Sequence, residues 1–202
     1  MKFRIKNIGF SVGIPFLASA TFFLAGDMRI NYCCAVLFSA LHEVGHILAL
    51  LYYGKKPKNI TLGVMGIRIE KSDIALSYRE ECITALCGPF VNLIFSVVFA
   101  LIDMTGLPFA INSGLFIINM LPVKTLDGGR FVYNFLLASV DEENARKVMN
   151  ISEIITALML IAVLIFSLIT GFVNTSFVLF AVLLVIIIVS EFVIDTEKST
   201  VG

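Results

Sequence analysis

Long apolar segments alternate with short polar ones along the chain. Segments 8–25, 30–53, 82–102, 107–123, 151–169 and 172–194 contain few charged residues. A helix needs about 20 apolar residues to cross the hydrocarbon core of a bilayer, and these segments reach or approach that length. The pattern predicts an all-α polytopic membrane protein with six transmembrane helices, forming a single membrane-embedded domain over residues 1–202.

Composition and charge agree with a membrane location. The chain is 58% hydrophobic and 15% charged, which is more apolar than an ordinary soluble domain, and its net charge is zero. A neutral chain has no basic field that would attract nucleic acid, so we expect none as a partner. The expected surroundings are the lipid bilayer.

The distribution of basic residues predicts the orientation. With the N-terminus in the cytoplasm, every Lys and Arg except Arg29 falls on the cytoplasmic side, as the positive-inside rule requires. This predicts a multi-pass protein of the cell membrane with both termini cytoplasmic. The first segment also has a basic start and a small-residue site at 18–20, typical of a signal peptide. We favour a retained span because the apolar run continues beyond it, whereas cleavage would leave five spans.

Residues 59–70 differ from the apolar segments around them. They are rich in β-branched residues, broken by glycine, and alternate roughly in polarity. The pattern predicts a pair of short β-strands at the cytoplasmic membrane face, with an irregular loop as the alternative. An edge strand in this place would be able to pair with an extended substrate.

The second segment contains the sequence His42-Glu43-Val44-Gly45-His46, which includes the only two histidines in the chain. Residues four apart lie on one face of a helix, so both imidazoles can bind one zinc ion. Glu43 is then placed to act as a general base towards a water activated by the metal. The alternative is two structural histidines and an ion-paired glutamate, which is costly in an apolar span.

Asp127 is the candidate for a third metal ligand. A catalytic zinc usually has three protein ligands and one open position. In the predicted topology His46 lies about 10 Å from the cytoplasmic end of its helix, and Asp127 approaches from the same side. Asp103 falls on the opposite side. The site is therefore expected near the cytoplasmic side, with an N-cap of the helix 128–138 as the other interpretation of Asp127.

Two further clusters contain glycine, proline and asparagine within apolar segments. Gly88, Pro89 and Asn92 lie in the third segment, and Asn119 and Pro122 lie at the end of the fourth. Proline frees a helical carbonyl, glycine permits close packing, and asparagine in lipid is expected to face protein. A packing kink with an interhelical hydrogen bond explains these features structurally, and a functional role is compatible with it.

Taken together, three motifs resemble those of the site-2 protease family of intramembrane zinc metalloproteases. They are His42-Glu43-x-x-His46, Gly88-Pro89-x-x-Asn92, and Asn119-x-x-Pro122 leading to Leu126-Asp127-Gly128-Gly129. The resemblance covers about residues 30–130 and implies a catalytic core there, with accessory spans at 8–25, 151–169 and 172–194. It is nearest to SpoIVFB-like bacterial members without a PDZ domain. Because the chain stops at Gly202, we expect no CBS domain.

The resemblance implies a zinc metalloendopeptidase with one Zn²⁺ per chain. His42, His46 and Asp127 would be the metal ligands and Glu43 the catalytic residue. Such enzymes cut a transmembrane segment of a membrane protein, so the expected partners are that substrate and an upstream protease or regulatory membrane protein.

Asn119 and Asn92 are candidates for stabilising the oxyanion or the substrate strand. Two non-proteolytic alternatives are a zinc-binding sensor or transporter and a pseudoprotease that binds transmembrane helices. The intact Glu43 argues against a pseudoprotease. The other predicted spans contain no continuous row of polar residues that would form a transport path, which argues against a transporter.

Overall fold

The computed structural model describes residues 2–5, 8–12, 29–55, 57–63, 66–71 and 76–171, and positions 178, 181, 182, 184–186, 188 and 189. The strands are β1 (Lys2–Ile5), β2 (Ile8–Val12), β3 (Pro57–Gly63) and β4 (Gly66–Lys71). The helices are α1 (Arg29–Tyr52), α2 (Tyr78–Leu101), α3 (Leu107–Asn119), α4 (Asp127–Leu137) and α5 (Glu142–Thr170). The chain divides into two compact units, Met1–Met120 and Leu121–Gly202.

A four-stranded sheet lies in the first unit, in the order β1-β2-β3-β4. β1 and β2 pair antiparallel, as do β3 and β4, whereas β2 and β3 run parallel. Parallel neighbours need a long crossover connection, and here the connection contains α1. β3 and β4 occupy the stretch in which the sequence predicts a strand pair. Their position at a membrane face stays a prediction.

The first predicted span, 8–25, is wrong at its start. Residues Ile8–Val12 form β2 and pair with strands on both sides, so they are not part of a membrane helix. The alternation of Ile8, Phe10 and Val12 with smaller residues suits a strand. By hydrophobicity alone, however, these residues look like the beginning of the long apolar segment that follows them. Residues 13–25 lie outside the described residues.

Among the described residues, three helices are long and apolar enough to cross a membrane, namely Ile30–Tyr52, Tyr78–Leu101 and Glu142–Thr170. These helices indicate a membrane protein. The predicted span 107–123 is shorter in the structure, because α3 ends at Asn119 and the chain turns before Pro122. The predicted span 172–194 falls mostly outside the described residues. The total of six therefore stays a prediction.

Helices α1 and α2 pack closely where a glycine of one meets the backbone of the other. A Cβ atom on Gly45 of α1 would lie 2.6 Å from the carbonyl oxygen of Cys87 in α2, so only glycine fits there without a shift. Two turns away, Phe38 packs on the rings of Phe95 and Phe99, with centroids 5.6 and 5.7 Å away. These contacts fix the helix that contains the two histidines.

In the second unit, α5 begins with a polar turn before its apolar stretch. Asp141 is the N-cap, and its carboxylate accepts a hydrogen bond from the backbone N–H of Asn144 at 3.1 Å. This bond holds the pKa of Asp141 below its ordinary value of 3.8. The helix continues from there through the predicted span 151–169.

Candidate metal centre

His42 and His46, hereafter the histidine pair, lie one turn apart on α1 and are both buried. Their Nε2 atoms are 3.1 Å apart. Two nitrogen ligands at 2.0–2.1 Å from a tetrahedral zinc lie about 3.3 Å apart. The spacing therefore suits two ligands of one metal ion.

Each ring of the histidine pair is held through its other nitrogen. Nδ1 of His46 lies 2.7 Å from the backbone carbonyl oxygen of Thr84, and Nδ1 of His42 lies 2.6 Å from Oδ1 of Asn92. A carbonyl oxygen can only accept, so Nδ1 of His46 is the donor. In the neutral ring its Nε2 is then the unprotonated nitrogen, as a metal ligand requires.

The turn of α2 around Gly88 and Pro89 lies directly against these rings. A Cβ atom on Gly88 would overlap Nε2 of His46 and lie 2.7 Å from Nε2 of His42. Both Gly88 and Pro89 are buried. Pro89 has no N–H, so it donates no helical hydrogen bond to the carbonyl of Ala85 four residues earlier. Gly88 thus leaves the space that the two ring nitrogens occupy.

Asp127, in the second unit, is the first residue of α4 and is buried, with 7% of its surface exposed. The N-cap is Leu126, which makes no side-chain cap hydrogen bond, so Asp127 does not cap this helix. The positive end of the helix dipole stabilises a carboxylate in this position. Arg130 donates from a guanidinium nitrogen to Oδ1 of Asp127 at 3.2 Å.

Residues 121–126, hereafter the aspartate loop, are tied to α5. The backbone N–H of Lys124 donates to Oε1 of Glu153 at 2.7 Å, and Nζ of Lys124 lies 3.7 Å from Oε2. Nζ also donates to Oδ1 of Asn150 at 2.8 Å, and Ser152 donates to the Pro122 carbonyl at 3.2 Å. Glu153 is only 2% exposed. A carboxylate buried in an apolar helix needs such partners.

Gly129 determines how closely α4 approaches the aspartate loop. A Cβ atom there would overlap the carbonyl oxygen of Val123 and lie 2.7 Å from the backbone nitrogen of Lys124. Val123 itself is fully buried and packs with Leu184 and Ile188. A residue larger than glycine at 129 would therefore push this backbone, and Asp127 with it. Gly128 is buried as well.

His42, His46 and Asp127 are a group that could hold a metal ion. Each residue offers one ligand atom, and all three residues are buried. Imidazole nitrogen and carboxylate oxygen are both ordinary zinc ligands. The donor set therefore fits the metal that the sequence predicts.

The remaining predicted residues lie on α1, at the end of α3 and in the aspartate loop. Glu43 follows His42 on α1 and is half-buried. Asn119 ends α3, is half-buried, and donates from Nδ2 to the Leu115 carbonyl of its own helix at 2.9 Å. Pro122 is half-buried in the aspartate loop. The catalytic or substrate-binding roles of Glu43, Asn119 and Asn92 stay predictions.

Sequence reasoning missed several supporting groups. Glu153 was visible as a lone carboxylate in an apolar segment, a signal that marks functional positions in membranes. Gly45 and Arg130 lie within or directly after the motifs, but their contacts depend on packing between elements. Asn112 gives only the weak signal of one amide in an apolar helix, and the Thr84 carbonyl gives none, because a backbone group has no side-chain signature.

The fold of this chain resembles that of a protein whose structure is already solved. The fold matches a solved structure entitled "Site-2 Protease from Methanocaldococcus jannaschii" with a TM-score of 0.63, over 92% of this chain and 92% of that one, at 20% identity. The chain has a site-2 protease fold. No protein-family model and no curated protein sequence matches it. The likeness supports the site-2 protease resemblance, and the nearer relation to SpoIVFB-like bacterial members stays a prediction.

Proposed function

We propose that the protein is an intramembrane zinc metalloprotease that cuts peptide bonds within or near a transmembrane segment of its substrates. The observation that carries the proposal is the buried group of His42, His46 and Asp127. It occurs in a chain with a site-2 protease fold, and three helices among the described residues are apolar enough to cross a membrane. A histidine pair with only a structural role would not require a third buried residue of a metal-ligating type.

The residues have separate roles in this proposal. His42, His46 and Asp127 hold one Zn²⁺, which when bound supplies a Lewis acid that makes water more acidic and polarises a peptide carbonyl. Glu43 accepts the proton from the attacking water on its carboxylate. It then gives this proton to the leaving amine as the peptide bond breaks. The half-buried position of Glu43 next to His42 is compatible with that exchange.

The substrate has to present an extended backbone to the site. A helix hides its carbonyl groups in its own hydrogen bonds, so the substrate segment must unwind before attack. Residues that form helices poorly, such as glycine or proline near the cut, would lower the cost of unwinding. Asn119, at the end of α3, is a candidate for contacting the unwound strand.

We place the protein in the cell membrane as a multi-pass protein with cytoplasmic termini and a site near the cytoplasmic side. The support is the asymmetry of basic residues along the sequence. Water would reach the site from that side through a polar opening, because the hydrocarbon region itself excludes water.

The decisive experiment compares cells that express the native chain and Glu43→Gln. Glutamine keeps the size of the side chain but cannot accept the proton, so zinc should stay bound while cleavage is lost. Mass spectrometry of membrane fractions would identify which transmembrane fragments accumulate uncut in the variant. Zinc content measured on both purified proteins is the control for an intact metal site.

Either of two results would contradict the proposal. Equal fragment patterns with zinc bound in both proteins would indicate a non-proteolytic zinc protein, and zinc flux into vesicles would then test transport. Full cleavage by Glu43→Gln would remove the general-base role from Glu43.

A further inference from the structure

Two buried asparagines, Asn92 and Asn112, hereafter the amide relay, link the ring of His42 to a backbone carbonyl in α3. Nδ1 of His42 lies 2.6 Å from Oδ1 of Asn92, and Nδ2 of Asn92 donates to Oδ1 of Asn112 at 3.0 Å. Nδ2 of Asn112 in turn donates to the carbonyl oxygen of Pro108 at 2.8 Å. Both asparagines are completely buried.

The direction of every bond in the amide relay follows from its last member. The Pro108 carbonyl has no hydrogen, so the amide of Asn112 must turn its NH₂ group towards it. Oδ1 of Asn112 then faces Asn92 and can only accept, which turns the NH₂ group of Asn92 towards it. Oδ1 of Asn92 is left facing His42, so Nδ1 of His42 must be the donor.

This arrangement leaves the lone pair of His42 on Nε2, the nitrogen 3.1 Å from Nε2 of His46. His46 reaches the same state through its hydrogen bond to the Thr84 carbonyl. Burying two amides in an apolar helix pair is costly unless all their polar atoms are bonded. Nδ2 of Asn92 also lies 3.5 Å from the carbonyl oxygen of Phe38, so both polar atoms of this side chain have hydrogen-bond partners in the protein.

We infer that Asn112 is a positioning residue for the metal site, acting through Asn92 to fix the ring orientation and the protonated nitrogen of His42. The inference rests on the proposed function, because it assigns His42 as a metal ligand through Nε2. It gives Asn92 a role other than contact with the substrate. It also makes α3, which contains none of the metal ligands, a determinant of metal affinity.

The test uses the zinc-loaded native protein and the variant Asn112→Leu, with Ser113→Ala as the matched control. Ser113 is hydrogen-bonded to Ser96 at 2.5 Å, so it joins the same two helices without belonging to the amide relay. Zinc affinity is measured by competition with a chelator. Because the chain has two histidines, ¹⁵N-histidine labelling gives NMR signals from only two rings, and contact with the Asn92 side chain identifies His42.

We expect a hydrogen on Nδ1 of both rings in the native protein. Asn112→Leu should lower zinc affinity about tenfold, the lower end of the range for losing a group that supports a ligand. It should also shift the Nδ1–H signal of His42 and speed its exchange with water, while the His46 signal stays unchanged. Ser113→Ala should change neither ring and leave zinc affinity as it is.

Unchanged zinc affinity and an unchanged His42 signal in Asn112→Leu would overturn the inference, as would equal losses in Ser113→Ala. If Asn112→Leu does not fold, the native spectrum decides, since a His42 ring that has its hydrogen on Nε2 contradicts the relay. Native protein that binds zinc but cuts no substrate would refute the proposed function alone. Native protein that binds no zinc would refute both.

Discussion

The histidine pair and Asp127 are held in place by different kinds of structure. The two histidines project from the middle of one regular helix, and side chains and carbonyls of packed helices fix their rings. Asp127 follows a loop, and a carboxylate on a distant helix fixes that loop through Lys124. Helical spacing alone puts the two histidines on one face, whereas long-range contacts hold the loop before Asp127.

The largest loss of zinc affinity should come from a substitution of Gly88, which lies against the histidine pair. In Gly88→Ala the new methyl group would overlap the ligand nitrogens, so both rings must move. We expect zinc affinity to fall about 100-fold, the upper end of the range known for disturbed metal supports. Chelator competition measures it. Gly114→Ala, where a Cβ atom meets nothing within 4 Å, is the control, and equal losses in both variants would contradict the geometry.

Gly129→Ala makes the corresponding change on the side of Asp127. The methyl group would press on the Val123 carbonyl and the Lys124 nitrogen, and crowding of this kind costs about 1–3 kcal/mol of unfolding free energy. Zinc affinity should fall about tenfold as Asp127 shifts. Thermal unfolding and chelator competition measure the two effects. Gly106→Ala, in open space, should have neither effect, and a Gly129→Ala protein that behaves like it would refute the close contact.

Substitutions of Glu153 test whether the aspartate loop is held in place by its contacts with α5. Glu153→Leu leaves the Lys124 N–H without its acceptor, which costs about 1–3 kcal/mol when the group stays buried. Glu153→Gln keeps an oxygen for that N–H and should lose less. Unfolding free energies rank the two variants, with zinc content as the second readout. Equal stability of Glu153→Leu and the native protein would show that the loop holds without this bond.

The smallest effect concerns pH at the start of α5. The bond from Asn144 lowers the pKa of Asp141 below 3.8 in the folded protein. Its stabilising effect is therefore complete above pH 3.8 and is lost as pH falls through the lower folded pKa. Thermal midpoints of the native protein and Asp141→Asn, measured from about pH 5 to about pH 3, should converge on acidification. A constant difference would contradict the assignment.

The sequence was likewise sufficient to predict the histidine pair but not the role of Asp127. The pattern His42-x-x-x-His46 needs only the periodicity of a helix, and the burial of both rings agrees with it. For Asp127 the sequence left an N-cap and a ligand open, and only the structure shows Leu126 at the cap. The amide relay could not be predicted, because it joins residues of separate helices whose packing is not local information.

The strands show where the hydrophobic pattern was sufficient for a prediction and where it was not. The alternation between residues 59 and 70 indicated a strand pair, but Ile8–Val12 was taken as the beginning of a membrane helix. Apolarity alone does not separate a buried strand from part of a transmembrane segment. The partners that make β2 a strand, β1 and β3, are visible only once the chain is folded.

The central claim is that His42, His46 and Asp127 bind one zinc ion, and the zinc content of Asp127→Ala tests it most directly. Purified native protein should contain one zinc per chain, and Asp127→Ala should contain much less. Asp103→Asn is the matched control, because Asp103 is exposed and asparagine tolerates its positive φ of 55°. A full complement of zinc in Asp127→Ala would contradict the claim, as would a native protein without zinc.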